Sequence, residues 1–240
     1  MSVKTRLVDY DDGQVNYQGM LAFDDARAGA KPGVLVAHTI RGRTAFEERK
    51  AQALAELGYA ALAIDVYGKT ELRTDDENTR SQMNALKADR EKLGRRLALA
   101  LEVLNLQPEV DASQTAAIGF CFGGLCVLDL ARSDEQLAGV VSFHGLLDAP
   151  ENWATRSIDT KVLVLHGWED PMATPDSVLE LSREMSAAGA DWQVHAYGNT
   201  VHAFTNPAAS DTTRGTVYDA AADRRSWVAM TNFLDELFSG

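Results

Sequence analysis

An alternation constrains this chain more than any other feature. Short apolar runs of strand length stand at 34–38 (VLVAH), 59–65 (YAALAID), 115–119 (TAAIG), 137–143 (LAGVVSF), 161–165 (KVLVL) and 192–197 (WQVHAY). Between and after them, 45–57, 89–106, 123–131, 175–188 and 219–237 repeat their apolar residues at helical spacing. Strand, helix, strand in that order calls for a parallel sheet, because parallel strands are joined only by a crossover long enough for a helix. A sheet built this way is covered on both faces. The first 23 residues break the pattern: 5–8 and 14–23 flank Asp11-Asp12-Gly13 and read as an antiparallel hairpin. The expectation is an α/β fold with a mostly parallel central sheet, an N-terminal antiparallel hairpin and helices on both faces. The 240 residues contain no repeat, low-complexity tract or Pro/Gly/Ser linker, so one domain over 1–240 is expected. The polar stretch 69–92 reads either as a small cap or lid, or as a surface crossover.

Charge narrows the partners. Thirty-five acidic against 23 basic residues leave a net charge of −12, which argues against nucleic acid and anionic membrane surfaces, both of which need a basic footprint. No apolar segment follows the N-terminus as a secretory signal, and none is long enough to span a membrane. The two cysteines, Cys121 and Cys126, are five apart, and on one helix they would point about 140° away from each other, too far to bridge. A reduced, cytoplasmic setting is expected. The oligomeric state stays open.

In open parallel sheets ligands gather at the carboxyl ends of the strands. One such end carries Gly119-Phe120-Cys121-Phe122-Gly123-Gly124, between a strand and a helix. This G-x-C-x-G-G pattern is a nucleophile elbow with cysteine at its tip: the turn is too sharp for side chains on either flank, and the sulfur projects at a helix N-terminus, where the dipole favours thiolate. Asp170 and His202 follow, each where a strand should end, giving the order nucleophile, acid, histidine. In this reading Cys121 attacks a carbonyl, His202 moves the proton and Asp170 orients the imidazole. Cys126 reads as helix core, His166 as core or support, and Glu47-Glu48-Arg49-Lys50 as a solvated helix face. No H-x-H, H-E-x-x-H or close Cys/His pair supports a metal, and no cofactor motif is present.

From residue 34 to the Phe204 region the sequence resembles the dienelactone hydrolase family, the cysteine branch of the α/β hydrolases. The resemblance rests on 34–40, 63–68, the 119–124 elbow, Gly167-Trp168-Glu169-Asp170 and His202-Ala203-Phe204. It implies an α/β-hydrolase fold, Cys121, Asp170 and His202 as the catalytic residues, and an oxyanion hole made by the backbone N–H groups of Ile40 and Phe122. It also implies a small ester or lactone as substrate. His38, Thr39, Tyr67, Arg80, His144, Trp168, Phe204 and Asn206 are the candidate pocket residues. Two of them depart from the pattern. Thr39 stands where the founding members carry a glutamate near the thiol, and Asn206 where they carry a carboxylate-binding arginine; Arg80 corresponds to a second such arginine. The acceptance of dienelactone itself is therefore open.

Sulfur restricts the leaving group. A thiolate of pKa ~8.5 departs from a tetrahedral intermediate more readily than a simple alkoxide, whose acid resembles water at about 15.7, whereas phenols near ~10 compete better. Lactones, enol esters and aryl esters are the expected substrates. The competing expectation is a hydrolase-like fold that has lost catalysis and binds a small ligand or a protein partner.

Overall fold

A computed structural model describes residues 2–26, 28–69, 76–151 and 156–239. Its contacts group the chain into two compact units, Met1–Ala117 and Ile118–Gly240.

The first unit opens with the expected hairpin. β1 (Val3–Asp11) and β2 (Asn16–Asp24) pair antiparallel from Val3 opposite Asp24 to Asp11 opposite Asn16. The turn forms where Asp12 accepts the amides of Gln14 and Val15 and Gly13 takes φ 82°, a conformation that costs glycine nothing. β3 (Lys31–Ala37) and β4 (Ala60–Ala63) pair parallel, with α1 (Ala45–Leu57) between them, and β2 joins the far side of β4. The limits of α1 are set locally. Thr44 and Glu47 form a reciprocal capping box, and Gly58 closes the helix at φ 106°. α2 (Asp76–Ala88) and α3 (Arg90–Asn105) follow, the latter capped by Asp89. β5 (Val110–Phe120) then runs from the first unit into the second.

The second unit is built on a parallel ladder. β6 (Gly139–Phe143) pairs with β7 (Lys161–Gly167), and β7 with β8 (Trp192–Tyr197). α4 (Phe122–Ala131) precedes β6, α5 (Pro175–Ala187) crosses from β7 to β8, and α6 (Ala220–Phe238) closes the chain. Every residue of β6 is buried, as expected of a strand covered on both faces. Gly139 shows how closely α6 lies on it: a Cβ there would come within 2.6 Å of Leu237. Two two-residue strands, β9 (Ser210–Asp211) and β10 (Thr216–Val217), pair antiparallel within the last long loop.

The fold is thus α/β and mostly parallel, with the antiparallel hairpin at its N-terminus. The bounds of α1 and β8 match the sequence reading, and α3 to α6 match to within a residue at each end. The differences have physical causes. β4 stops at Ala63 because the Asp65 carboxylate turns back to accept the amides of Tyr67 and Gly68. β5 starts at Val110, earlier than expected, because its first half is polar and largely exposed and so carries no apolar signal. Residues 76–88, read as part of a cap or crossover, form a helix whose buried contribution is thin, with Thr79 and Leu86 two turns apart. The proposed cap also includes 70–75, which lie outside the described residues. No helix among the described residues is long and apolar enough to cross a membrane.

Candidate active site

The elbow sits where β5 gives way to α4. Cys121 has φ 57° and ψ −114°, a strained conformation for a residue with a side chain. Its N–H donates to Phe143 O at 3.0 Å, and its carbonyl accepts from Gly124 N at 3.0 Å and Leu146 N at 3.3 Å. Those bonds tie the turn to β6 and the loop beyond it. Glycine is forced nearby: a Cβ on Gly119 would stand 2.0 Å from Gly123 O, and one on Gly124 2.5 Å from Gly145 Cα. Phe120 and Phe122 are fully buried, while Cys121 keeps partial access to solvent. Phe122 opens α4. Cys126 is buried inside α4, and neither thiol is in a disulfide.

Asp170 lies just past β7 in a turn closed by its own N–H on Gly167 O. Its Oδ1 accepts from Met172 N at 2.8 Å and Ala173 N at 3.3 Å, and its Oδ2 meets His202 Nδ1 at 2.7 Å. Both side chains are almost completely buried. His202 is held through its backbone: its N–H donates to Gly215 O and its carbonyl accepts from Val217 N, beside a bridge to Thr216. The small β9–β10 hairpin therefore anchors the histidine.

Two features lock the loops that carry Asp170 and His202 together. Glu169 N donates to Thr200 O while Thr200 N donates to the Glu169 carboxylate, each at 3.0 Å. Gly167 lies so close to this junction that a Cβ would come within 2.6 Å of Thr200 O. The sequence reading did not single out Glu169 or Thr200 for this. They are 31 positions apart, and nothing in the local pattern pairs them.

The remaining nitrogen of His202, Nε2, is buried and closes no hydrogen bond of ordinary geometry; the group it interacts with is Cys121. Burial opposes a charge on this imidazole. Only together do the Cys121 thiolate charge, the Asp170 hydrogen bond, the interaction with the thiol and the Asp170 charge outweigh it, and His202 is pushed up to about 10. The second unit thus brings thiol, imidazole and carboxylate into one connected row.

The other expected residues fall into distinct settings. In the second unit, His144 is buried, with Nε2 2.8 Å from Thr205 Oγ1 and its ring 5.1 Å from that of His202. Phe204 is buried against His144 at 5.1 Å. Trp168 is substantially exposed beside Asp170, and Asn206 caps its own turn by accepting Ala208 N. His166 is fully buried with neither ring nitrogen partnered; burial lowers its pKa, and the His202 charge adds to that against the pull of Asp170.

In the first unit, His38 is buried with both ring nitrogens tied to backbone: Nδ1 donates to Thr39 O at 2.6 Å and Nε2 accepts from Val66 N at 3.2 Å. Tyr67 packs on that ring at 4.7 Å. Thr39 donates its N–H to Glu47, and Ile40 is half-buried in the turn that follows. Arg80 is exposed on α2. Glu47 corrects an expectation. Read as part of a solvated face, it is fully buried, because its carboxylate accepts from Thr39 N, Thr44 N and Thr44 Oγ1. Among the described residues no cluster of three or more His, Cys, Asp or Glu side chains is placed to hold a metal ion.

Known proteins agree with this architecture. The dienelactone hydrolase-like promiscuous phosphotriesterase P91, from metagenomic libraries, superposes with a TM-score of 0.93 at 40% identity over 99% of both chains. An uncharacterized Caenorhabditis elegans protein, K02A2.1, is 38% identical over 62% of this chain and 96% of its own. A probable 2-oxo-3-(5-oxofuran-2-ylidene)propanoate lactonase from Bradyrhizobium sp. is 25% identical over 85% of this chain and 86% of its own. The model of the dienelactone hydrolase family matches residues 18–238, and the chain is accordingly an ester-bond hydrolase belonging to that family.

Proposed function

We propose that this chain is a cysteine-dependent carboxylic-ester hydrolase that cleaves lactones, enol esters or aryl esters through a thioester acyl-enzyme. The coupling of His202 to Cys121 on one side and Asp170 on the other is the observation that carries this reading. An imidazole that holds its proton up to about 10 beside a thiol fits a resting pair of imidazolium and thiolate. The N-terminus of α4 adds a favourable field for the sulfur's charge. Thr39 offers no carboxylate, so activation rests on His202 and that helix.

The thiolate electron pair attacks the ester carbonyl, and the C=O π electrons move to oxygen. In this reading the Phe122 N–H, at the start of α4, serves as an oxyanion donor, a contribution of about 3–4 kcal/mol in comparable sites. The intermediate collapses, the C–O bond to the leaving group breaks, and His202 gives that oxygen its proton. Water then attacks the thioester with His202 as base, releasing the acid and restoring the thiolate. In a lactone the leaving oxygen stays attached to the acyl chain, so the product is a single hydroxy or oxo acid. The lactonase among the relatives supports that substrate class. The likeness to P91 extends the reading to phosphotriesters as a secondary substrate class. A reduced, cytoplasmic setting suits an enzyme whose thiol must stay unoxidised.

Turnover of p-nitrophenyl acetate before and after iodoacetamide tests the assignment. Alkylation of Cys121 abolishes turnover in a cysteine hydrolase. Full turnover after complete alkylation overturns it, and an absence of turnover on aryl esters and lactones alike favours a ligand-binding role. Ethyl esters cleaved as fast as p-nitrophenyl esters would remove the leaving-group argument.

A further inference from the structure

The proposed mechanism makes no use of His144. This residue follows β6 and has φ 36°, a value that costs a non-glycine residue energy and persists only where its surroundings over-determine it. Its surroundings do so. The His144 N–H donates to Leu165 O at 2.9 Å, fixing the backbone against the end of β7. Its ring Nε2 and Thr205 Oγ1 are 2.8 Å apart, both side chains buried. The ring then meets the His202 ring with centroids 5.1 Å apart and planes at 64°, and the Phe204 ring stands edge-on to it at 5.1 Å and 82°.

The Asp170 hydrogen bond holds His202 at a single ring atom, Nδ1. An imidazole fixed at one atom can still rock about that contact and swing Nε2 off the sulfur. A second contact is needed to fix its plane, and the His144 ring supplies one. Thr205 in turn fixes His144, and it lies three residues beyond His202 on the same loop. The contacts run from His202 to His144, from His144 to Thr205, and back along the chain to His202.

We propose that His144 is a positioning residue that sets the plane of the His202 imidazole, with the Thr205 hydroxyl as its anchor, and that it is not a substrate-contacting residue. The proposal rests on the reading of His202 as the proton carrier. It assigns His144 an effect on the chemical step and none on substrate binding.

Thr205→Val, which removes the hydroxyl at nearly constant volume, should lower kcat on p-nitrophenyl acetate about tenfold with KM unchanged, as a small misplacement of a catalytic group does. The second-order rate of Cys121 alkylation by iodoacetamide should fall with it. Thr205→Ser, which keeps the hydroxyl, should restore most of both. His144→Phe should reproduce the kcat loss, and the double variant should be no worse than either single one, because the two residues act as a unit. Wild-type kcat and alkylation rate in a folded Thr205→Val overturn the proposal, as does an equal loss in Thr205→Ser. A loss seen only in KM returns His144 to the substrate pocket. If His144→Phe fails to fold, the Thr205 pair decides alone. Cys121→Ala keeps the two levels apart: its retention of turnover would sink the thiol mechanism itself, whereas its inactivity alongside an unaffected Thr205→Val would sink only the role of His144.

Discussion

The loop after β3 and the loops around Cys121 and His202 make opposite use of their polar groups. After β3 the polar groups are satisfied from within: both His38 nitrogens are bonded to backbone, and the buried Glu47 carboxylate accepts from Thr39 N, Thr44 N and Thr44 Oγ1. In the second unit, both nitrogens of His166 and the Ser142 hydroxyl are buried without a hydrogen bond, and His202 turns its Nε2 to the Cys121 thiol and not to backbone. Leaving such groups unpaired costs about 1–3 kcal/mol each. A histidine saturated by backbone is part of the scaffold. One that is fixed at Nδ1 and left open at Nε2 toward a thiol is ready to exchange a proton.

If that contrast is right, substitutions at the open site should cost rate, and substitutions in the saturated loop should cost stability. The largest effect is expected for Asp170→Asn, which removes the charge supporting the His202 proton and unsettles the tautomer: kcat/KM should fall about 10⁴-fold, as it does when the carboxylate of a serine triad is amidated. Steady-state kinetics on p-nitrophenyl acetate measures it, and a loss below about tenfold would detach Asp170 from the chemistry. Next comes Gly119→Ala. With its Cβ 2.0 Å from Gly123 O, overpacking should cost about 3 kcal/mol, a Tm drop of about 6–12 °C for a chain of this size. An unchanged Tm would show that the elbow is less tightly built than its geometry implies.

In the saturated loop, Glu47→Gln places an amide N–H₂ against donors and weakens the capping box. A loss of about 1–3 kcal/mol in chemical denaturation is expected. A last effect is one of pH. His202 holds its proton up to about 10 in the folded chain against an ordinary value of 6.5. A raised folded value gives stability that is complete below 6.5 and is lost as pH rises through about 10. Tm should therefore decline over that window. Cys121→Ala, which removes the largest charge retaining the proton, should move the decline to lower pH. A decline unmoved by that substitution would place its cause elsewhere.

Much of this was readable beforehand, for identifiable reasons. The helix limits were legible because they are written in single residues: Thr44 with Glu47 at one end of α1 and Gly58 at the other, Asp89 before α3, Asp219 before α6. The elbow was legible in part because Gly119 responds to a contact within five residues, with Gly123, whereas Gly124 answers to Gly145 across the fold. What could not be read depended on partners far along the chain. The Glu169–Thr200 clamp, the tie from His144 to Thr205 and the burial of Glu47 beneath Thr39 all require the folded chain. Helix α2 was hard to read because its thirteen residues carry only four apolar side chains, Met83, Ala85, Leu86 and Ala88, all in its second half.

By itself the sequence determined the order of strands and helices, the turns that glycine alone permits, and the residues that arrive at strand ends. Those properties follow from local sterics and from the short range of capping and periodicity. Tertiary structure decided which buried polar groups are saturated and which are left open. That choice sets the state of His202, because the energy of a buried imidazole depends on charges and dipoles brought to it from the whole fold.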